Sequence, residues 1–353
     1  MFFILLLTLT SYSVVDISKA MAQSAGTGGW LTVLAASVLF GIAAAVVVSL
    51  NRQYGGRALP AYASDIAGRG LGTLVRIYYI CYFLLIAVFL VLQMGTLLRM
   101  DFFPKTPVWA IMLASVPVFG YIAYKGVHTM ARMFEFLGII YLITAISVHV
   151  LMATQGKPER ILPLFNAAET SRYLAAIWPA AFSFLGIEVL LIMPMAQKTQ
   201  SKGARAAFWS VVAIGFFYVL IIESSIMKLG INDIVNYNDS LIVAIRDLSL
   251  PFLDFFERID ILFLTIGFLG FYLGISVVFT ALTEFLCSMF PRAKRTVVVI
   301  ALGAAVFALC LAAQAAQGFT EAVVSVGTYL GIAACLVLPL ALKIAARVKN
   351  HGA

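Results

Sequence analysis

The chain has 353 residues, of which 63% are hydrophobic and only 11% charged, and its mean hydropathy is +1.02. No soluble domain is this apolar, so the composition excludes a soluble enzyme or binding module and points to a polytopic membrane protein. The net charge of +8 does not imply nucleic acid as a partner, because the basic residues sit in short loops beside apolar runs, where topology and contact with anionic membrane lipid account for them.

A membrane-spanning helix needs about 20 mostly apolar residues. About ten such runs follow one another, at 2–22, 30–50, 73–98, 107–124, 134–154, 173–196, 207–229, 258–288, 296–315 and 320–344, here called spans 1 to 10. They leave no room for a soluble domain, so the expectation is a single all-α membrane domain over residues 1–353. Most of the 24 Lys and Arg residues lie on one side of these spans, from Arg52 and Arg57 through Lys125, Lys198, Arg205 and Arg295 to Lys343 and Arg347. Cytoplasmic loops carry the excess of positive charge, so both termini are expected in the cytoplasm.

Span 1 starts almost at Met1. FFILLLTL followed by Ala20-Met21-Ala22 has the form of a signal-peptide core and cleavage site, but no basic flank precedes it, and the preferred reading is a first membrane helix. It is interrupted by the polar run LTLTSYS, with Thr8, Thr10, Ser11, Tyr12 and Ser13, and Asp16 follows closely. Ten spans divide into two sets of five, repeat one at about 1–154 and repeat two at about 173–344, which pairs span 1 with span 6 in an inverted repeat. Span 6 reads AAFSFLGIEVLLIMP from Ala180 to Pro194 and is interrupted by FSFLGIE. Non-helical backbone at membrane depth is tolerated only where it is buried in protein or lines a cavity, so two broken helices at matching positions point to a transporter-type binding site near the midplane.

Gly186 is a place where backbone leaves helical geometry or approaches a ligand, or else a helix-packing glycine. Glu188 is costly in hydrocarbon unless paired or solvated, so it should face the bundle interior. Ligand-amine binding, proton uptake and a structural ion pair are the three roles open to it. In span 3, Tyr78, Tyr79, Tyr82 and Phe83 read as packing between helices. Cys81, Cys287, Cys310 and Cys335 all fall inside spans, and His128, His149 and His351 lie far apart, so no metal site and no cofactor are expected. No nucleophile motif or phosphate loop is present, and enzymatic function is not expected.

Four segments occur in order: ARMFE at Ala131 to Glu135, ILPLF at Ile161 to Phe165, FSFLGIEVLLIMP at Phe182 to Pro194, and LPFLDFFERID at Leu250 to Asp260. On these the chain resembles the spore-germination permeases, the B-subunit family of nutrient germinant receptors and a branch of the amino acid, polyamine and organocation transporter superfamily. It departs from that family in lacking a short polar segment before span 1, and in having Gly267 where a tryptophan commonly follows ERID.

The resemblance implies two inverted five-helix repeats with a small nutrient, such as an amino acid, bound between broken spans 1 and 6. It also implies germination signalling, an A subunit and a lipoprotein C subunit as partners, and the inner membrane of the bacterial spore as location. Thr10, Ser11, Tyr12, Phe184, Gly186, Glu188 and Tyr272 are the expected nutrient-binding residues, with Tyr12, Phe184 and Tyr272 enclosing the ligand's side chain. Glu257, Arg258 and Asp260 at the outer mouth of span 8 are expected to form a gate or a subunit contact. The competing readings are an amino acid/proton or cation symporter of the same superfamily, and a purely structural subunit with a vestigial pocket.

Overall fold

The computed structural model of the chain describes residues 1–194, 200–237, 239–248, 259–316 and 318–351, and these contain helices and connecting turns but no strand. The first half comprises α1 (Phe2–Ser13), α2 (Ile17–Ala25), α3 (Gly29–Gln53), α4 (Leu59–Asp101), α5 (Val108–Lys125) and α6 (Val127–Gln155). The second comprises α7 (Thr170–Ala175), α8 (Ile177–Ala181), the 3-10 turns Phe182–Phe184 and Ile187–Ile192, and α9 (Gln200–Leu229). Two short helices follow, α10 (Ile231–Asn236) and α11 (Ser240–Arg246), then α12 (Ile259–Met289) and α13 (Arg295–Ala315). The last crossing is α14 (Phe319–Ile332), a π turn at Ala333–Val337 and α15 (Leu338–His351).

Among the described residues eight helices are long and apolar enough to cross a membrane, and nine when the pair Ala167–Ala175 and Ile177–Ile192, bent by 45°, counts as one crossing. One of the eight runs from Ile17 to Gln53 and takes in both α2 and α3. At 25 residues α3 is long enough to cross alone. That leaves α1 and α2 as a separate, broken first crossing and accounts for the ten spans read from the sequence. The fold is thus an all-α polytopic bundle of two inverted halves, each opening on a broken helix.

α1 is the centre of the bundle. It is buried on every side from Ile4 to Ser13, and Leu5, Leu6, Leu7 and Leu9 are fully buried. It packs against α12, α6 and α9. Two glycines permit the close approach: a Cβ on Gly274 would collide with the Ser11 side chain, and one on Gly138 would come within 2.7 Å of Phe3.

The first break is not where the polar run placed it. Residues 8–13 stay helical, and three of their hydroxyls bond back to their own helix: Thr8 Oγ1 donates to the Ile4 carbonyl at 2.7 Å, Thr10 to Leu6 at 2.7 Å and Ser11 to Thr8 at 2.7 Å. The helix ends instead between Ser13 and Ile17, at Val14, Val15 and Asp16.

The loop charges sort to two ends as their sequence positions require. At one end Arg295 donates to the Ala123 carbonyl at 2.6 Å and pairs with Glu284 at 2.8 Å, while Lys343 reaches Ser49. At the other, Arg246 pairs with Asp101 at 2.7 Å, Lys228 with Asp247 at 2.9 Å, Lys19 donates to the Tyr237 carbonyl and Arg172 to that of Ser24.

Candidate functional site

The sixth crossing stops being an α-helix at Ala181. Phe182–Phe184 form a 3-10 turn, Leu185 is extended with ψ 152°, and Gly186 takes φ 106°, a left-handed conformation that an L side chain resists. A Cβ there would also stand 2.9 Å from Thr8 Cγ2 and 3.4 Å from Tyr12 Cε2 of α1. Gly186 therefore serves both needs read from its sequence setting: it leaves helical geometry, and it lets the two broken crossings touch.

A break at this depth frees backbone groups that no water satisfies, and each must find a partner. Glu188, fully buried, supplies one. The Gly186 N–H donates to its carboxylate, 3.0 Å from Oε1 and 2.9 Å from Oε2. Tyr82 of α4 donates to Oε1 at 2.8 Å, and the Tyr12 hydroxyl of α1 approaches the same atom at 3.5 Å. The carboxylate thus ties the unwound segment to α1 and α4. Hydrogen bonds to a charged group contribute roughly 1.5–3 kcal/mol each, which is what offsets taking a carboxylate out of water. Of the three roles open to Glu188, the ion pair is not formed: among the described residues its partners are two tyrosine hydroxyls and a backbone amide, with no basic side chain.

Other side chains complete the repair. Asn51 of α3 donates through Nδ2 to the Leu190 carbonyl at 2.9 Å, and its Oδ1 accepts from Tyr62 at 2.5 Å. Tyr218 of α9 donates to the Ser183 carbonyl at 2.9 Å. Phe184 stacks on Phe40 with ring centroids 5.6 Å apart and meets the Tyr218 ring edge-on at 5.5 Å. At the first crossing's break, Asp16 Oδ2 accepts from Gln93 Nε2 at 2.8 Å.

The structure brings together Tyr12, Gly186 and Glu188, with Phe184 close by on the unwound segment. Thr10 and Ser11 spend their hydroxyls on α1 itself, and Ser11 lies against Gly274 of α12. Tyr272 is turned to α5, where its hydroxyl is 2.7 Å from Ser115 Oγ and its ring 5.3 Å from that of Phe119. Glu257 and Arg258 lie outside the described residues, and of Asp260 only the helical backbone is described.

Tyr82, Asn51 and Gln93 are the residues that sequence reasoning missed. A buried tyrosine hydroxyl needs a partner, and three in one apolar helix were the available signal. Tyr78 and Tyr79 also reach across, donating to the Leu330 and Ala334 carbonyls at 2.6 and 2.7 Å. Tyr82→Phe keeps the ring and removes only the 2.8 Å bond, so the purified protein should lose about 1–3 kcal/mol of stability, read as a lower melting temperature. An unchanged melting temperature would mean that the bond to Glu188 adds nothing.

A family model described as "Spore germination protein", of the spore permease type, matches residues 1–318. Among curated proteins the chain is 24% identical over 278 residues to spore germination protein YndE of Bacillus subtilis (strain 168), covering 76% of this chain and 74% of that one. It is 22% identical over 328 residues to spore germination protein KB of the same organism, covering 91% and 87%. Among solved structures it is similar to MhsT in complex with L-phenylalanine, with a TM-score of 0.62 and 15% identity over 96% of this chain and 86% of that one. It is also similar to the manganese transporter of Eremococcus coleocola, at a TM-score of 0.61 and 12% identity over 98% and 77%. At these identities the structural likeness shows the fold alone.

Proposed function

Because the chain belongs to the spore germination permease family, we propose that it is the nutrient-sensing membrane subunit of a spore germinant receptor. In this reading a small nutrient, such as an amino acid, binds between the two broken crossings, and its binding is passed on as a germination signal. Residues 1–154 and 173–344 are the two repeats, and both termini face the cytoplasm. The chain works in the spore's inner membrane with a large A subunit and a lipoprotein C subunit, and Glu257, Arg258 and Asp260 form an outer gate or subunit contact.

One observation carries the reading. Glu188 joins the unwound sixth crossing to α1 and α4 through hydrogen bonds that a small polar ligand can compete for. A ligand that prefers one arrangement of these elements shifts the bundle by its difference in affinity between the two states, and by no more. The names of the curated relatives favour the receptor over the symporter, which would share the fold and the pocket.

The test is nutrient-triggered dipicolinate release from spores lacking this gene, complemented with wild-type protein or Gly186→Trp at matched abundance. The wild type should restore release and the tryptophan variant should not. If deletion changes nothing for any nutrient, with paralogous receptors also removed, the receptor reading fails.

A further inference from the structure

Away from Glu188, beside the first crossing's break, the structure contains a cavity of about 70 Å³. Val14 and Val15 of the break form part of its wall. α6 contributes Thr144 and His149, α11 contributes Leu241 and Ile245, and α12 contributes Gly267. A Cβ built on Gly267 meets nothing within 4 Å, so the missing side chain leaves open space there. A water needs roughly 10–15 Å³ of such volume, so the cavity has room for about five heavy atoms.

Among the described residues His149 is the one buried imidazole on this wall. Ser224 Oγ lies 2.9 Å from His149 Nδ1 and 3.1 Å from the Ile221 carbonyl, which also accepts from Ser225 Oγ at 2.7 Å, so either the hydroxyl or the ring nitrogen can supply the proton between them. Nε2 is then an acceptor or a donor according to the tautomer. Among the described residues no protein group bonds to Nε2. Thr144 adds a hydroxyl to the same wall, and the rest is almost wholly aliphatic or aromatic.

We propose that this cavity is a binding site for a short, neutral, branched aliphatic alcohol, whose hydroxyl bonds to His149 Nε2 while its alkyl part fills the space beside Gly267. A hydroxyl both donates and accepts, so it pairs with Nε2 in either tautomer. An ammonium brings three donors and a charge, and among the described residues no carboxylate lines the wall to pair with it, so amines and the charged end of an amino acid are disfavoured. The site is therefore distinct from that of the nutrient. Because Val14 and Val15 are the break itself, occupancy of the cavity bears directly on the hinge between α1 and α2.

The probe is isobutanol, titrated onto the full-length protein in lipid nanodiscs and followed by ligand-observed NMR. Saturable millimolar-range binding is expected for the wild type, and isobutylamine, charged at pH 7, should bind at least tenfold more weakly. Gly267→Trp should abolish binding by filling the cavity. His149→Phe keeps the ring volume and removes the ring nitrogens, and should weaken binding about five- to tenfold. Ile245→Ala enlarges the cavity and should move the preference to a longer branched alcohol, a gain that a poorly folded protein cannot show. Unsaturable binding to the wild type, equal binding of the amine, or binding unaffected by both Gly267→Trp and His149→Phe would overturn the proposal. None of these outcomes depends on the nutrient response of spores.

Discussion

Gly186→Ala should cost about 2–5 kcal/mol of stability, and the loss should be partly reversed by a second substitution on another helix. Two effects add at this position. A residue with a side chain held at φ 106° pays roughly 1–2 kcal/mol of backbone strain. The new Cβ also stands 2.9 Å from Thr8 Cγ2, and overpacking of this kind costs about 1–3 kcal/mol. Thr8→Ser removes that methyl group and keeps the hydroxyl bonded to Ile4, so alone it loses only about 1 kcal/mol. In the double variant the steric part vanishes and the strain remains. Melting curves of the two single variants and the double should then give a coupling of more than about 0.5 kcal/mol in the favourable direction. Strictly additive losses would show that the two broken crossings do not meet at this point.

Glu188 gives the second large effect. Glu188→Ala leaves the Gly186 N–H and the Tyr82 hydroxyl without an acceptor in a dry interior, at about 1–3 kcal/mol for each. Glu188→Gln keeps the shape and one acceptor oxygen, but its amide NH2 faces a group that is itself a donor. Stability should therefore fall in the order wild type, Gln, Ala. In spores, Glu188→Gln at matched abundance should shift the nutrient dose response to higher concentration, because the ligand would meet a rearranged node. A normal dose response in folded Gln protein would remove Glu188 from nutrient sensing and leave it as an internal acceptor that holds the break.

The membrane class, the approximate crossings and the second break were legible in the sequence because each is a local property. Hydropathy accumulates over about 20 residues, and a glycine beside a carboxylate in apolar surroundings has few structural explanations. The first break was misplaced because its residues Val14 and Val15 look like ordinary membrane helix, while Thr8, Thr10 and Ser11 before them bond within one turn of their own helix. The partners of Glu188 were out of reach for a different reason. Tyr12 is 176 positions away in the chain and Tyr82 is 106, and no pattern along one helix records which hydroxyl crosses to which carboxylate. Tyr272 shows the same limit: its type suited an aromatic lid, and its direction, toward Ser115, depends on how α12 is rotated against α5.

Tyr79 and Tyr82 lie three residues apart on α4, so their hydroxyls leave neighbouring positions on the helix about 4.5 Å apart along its axis. One grips the unwound sixth crossing through Glu188, and the other grips the Ala334 carbonyl in the π turn of the last crossing. α4 is thus a common shaft carrying two couplings. It cannot roll or slide at one without dragging on the other, so a displacement begun at the sixth crossing is felt through α4 at the π turn of the tenth.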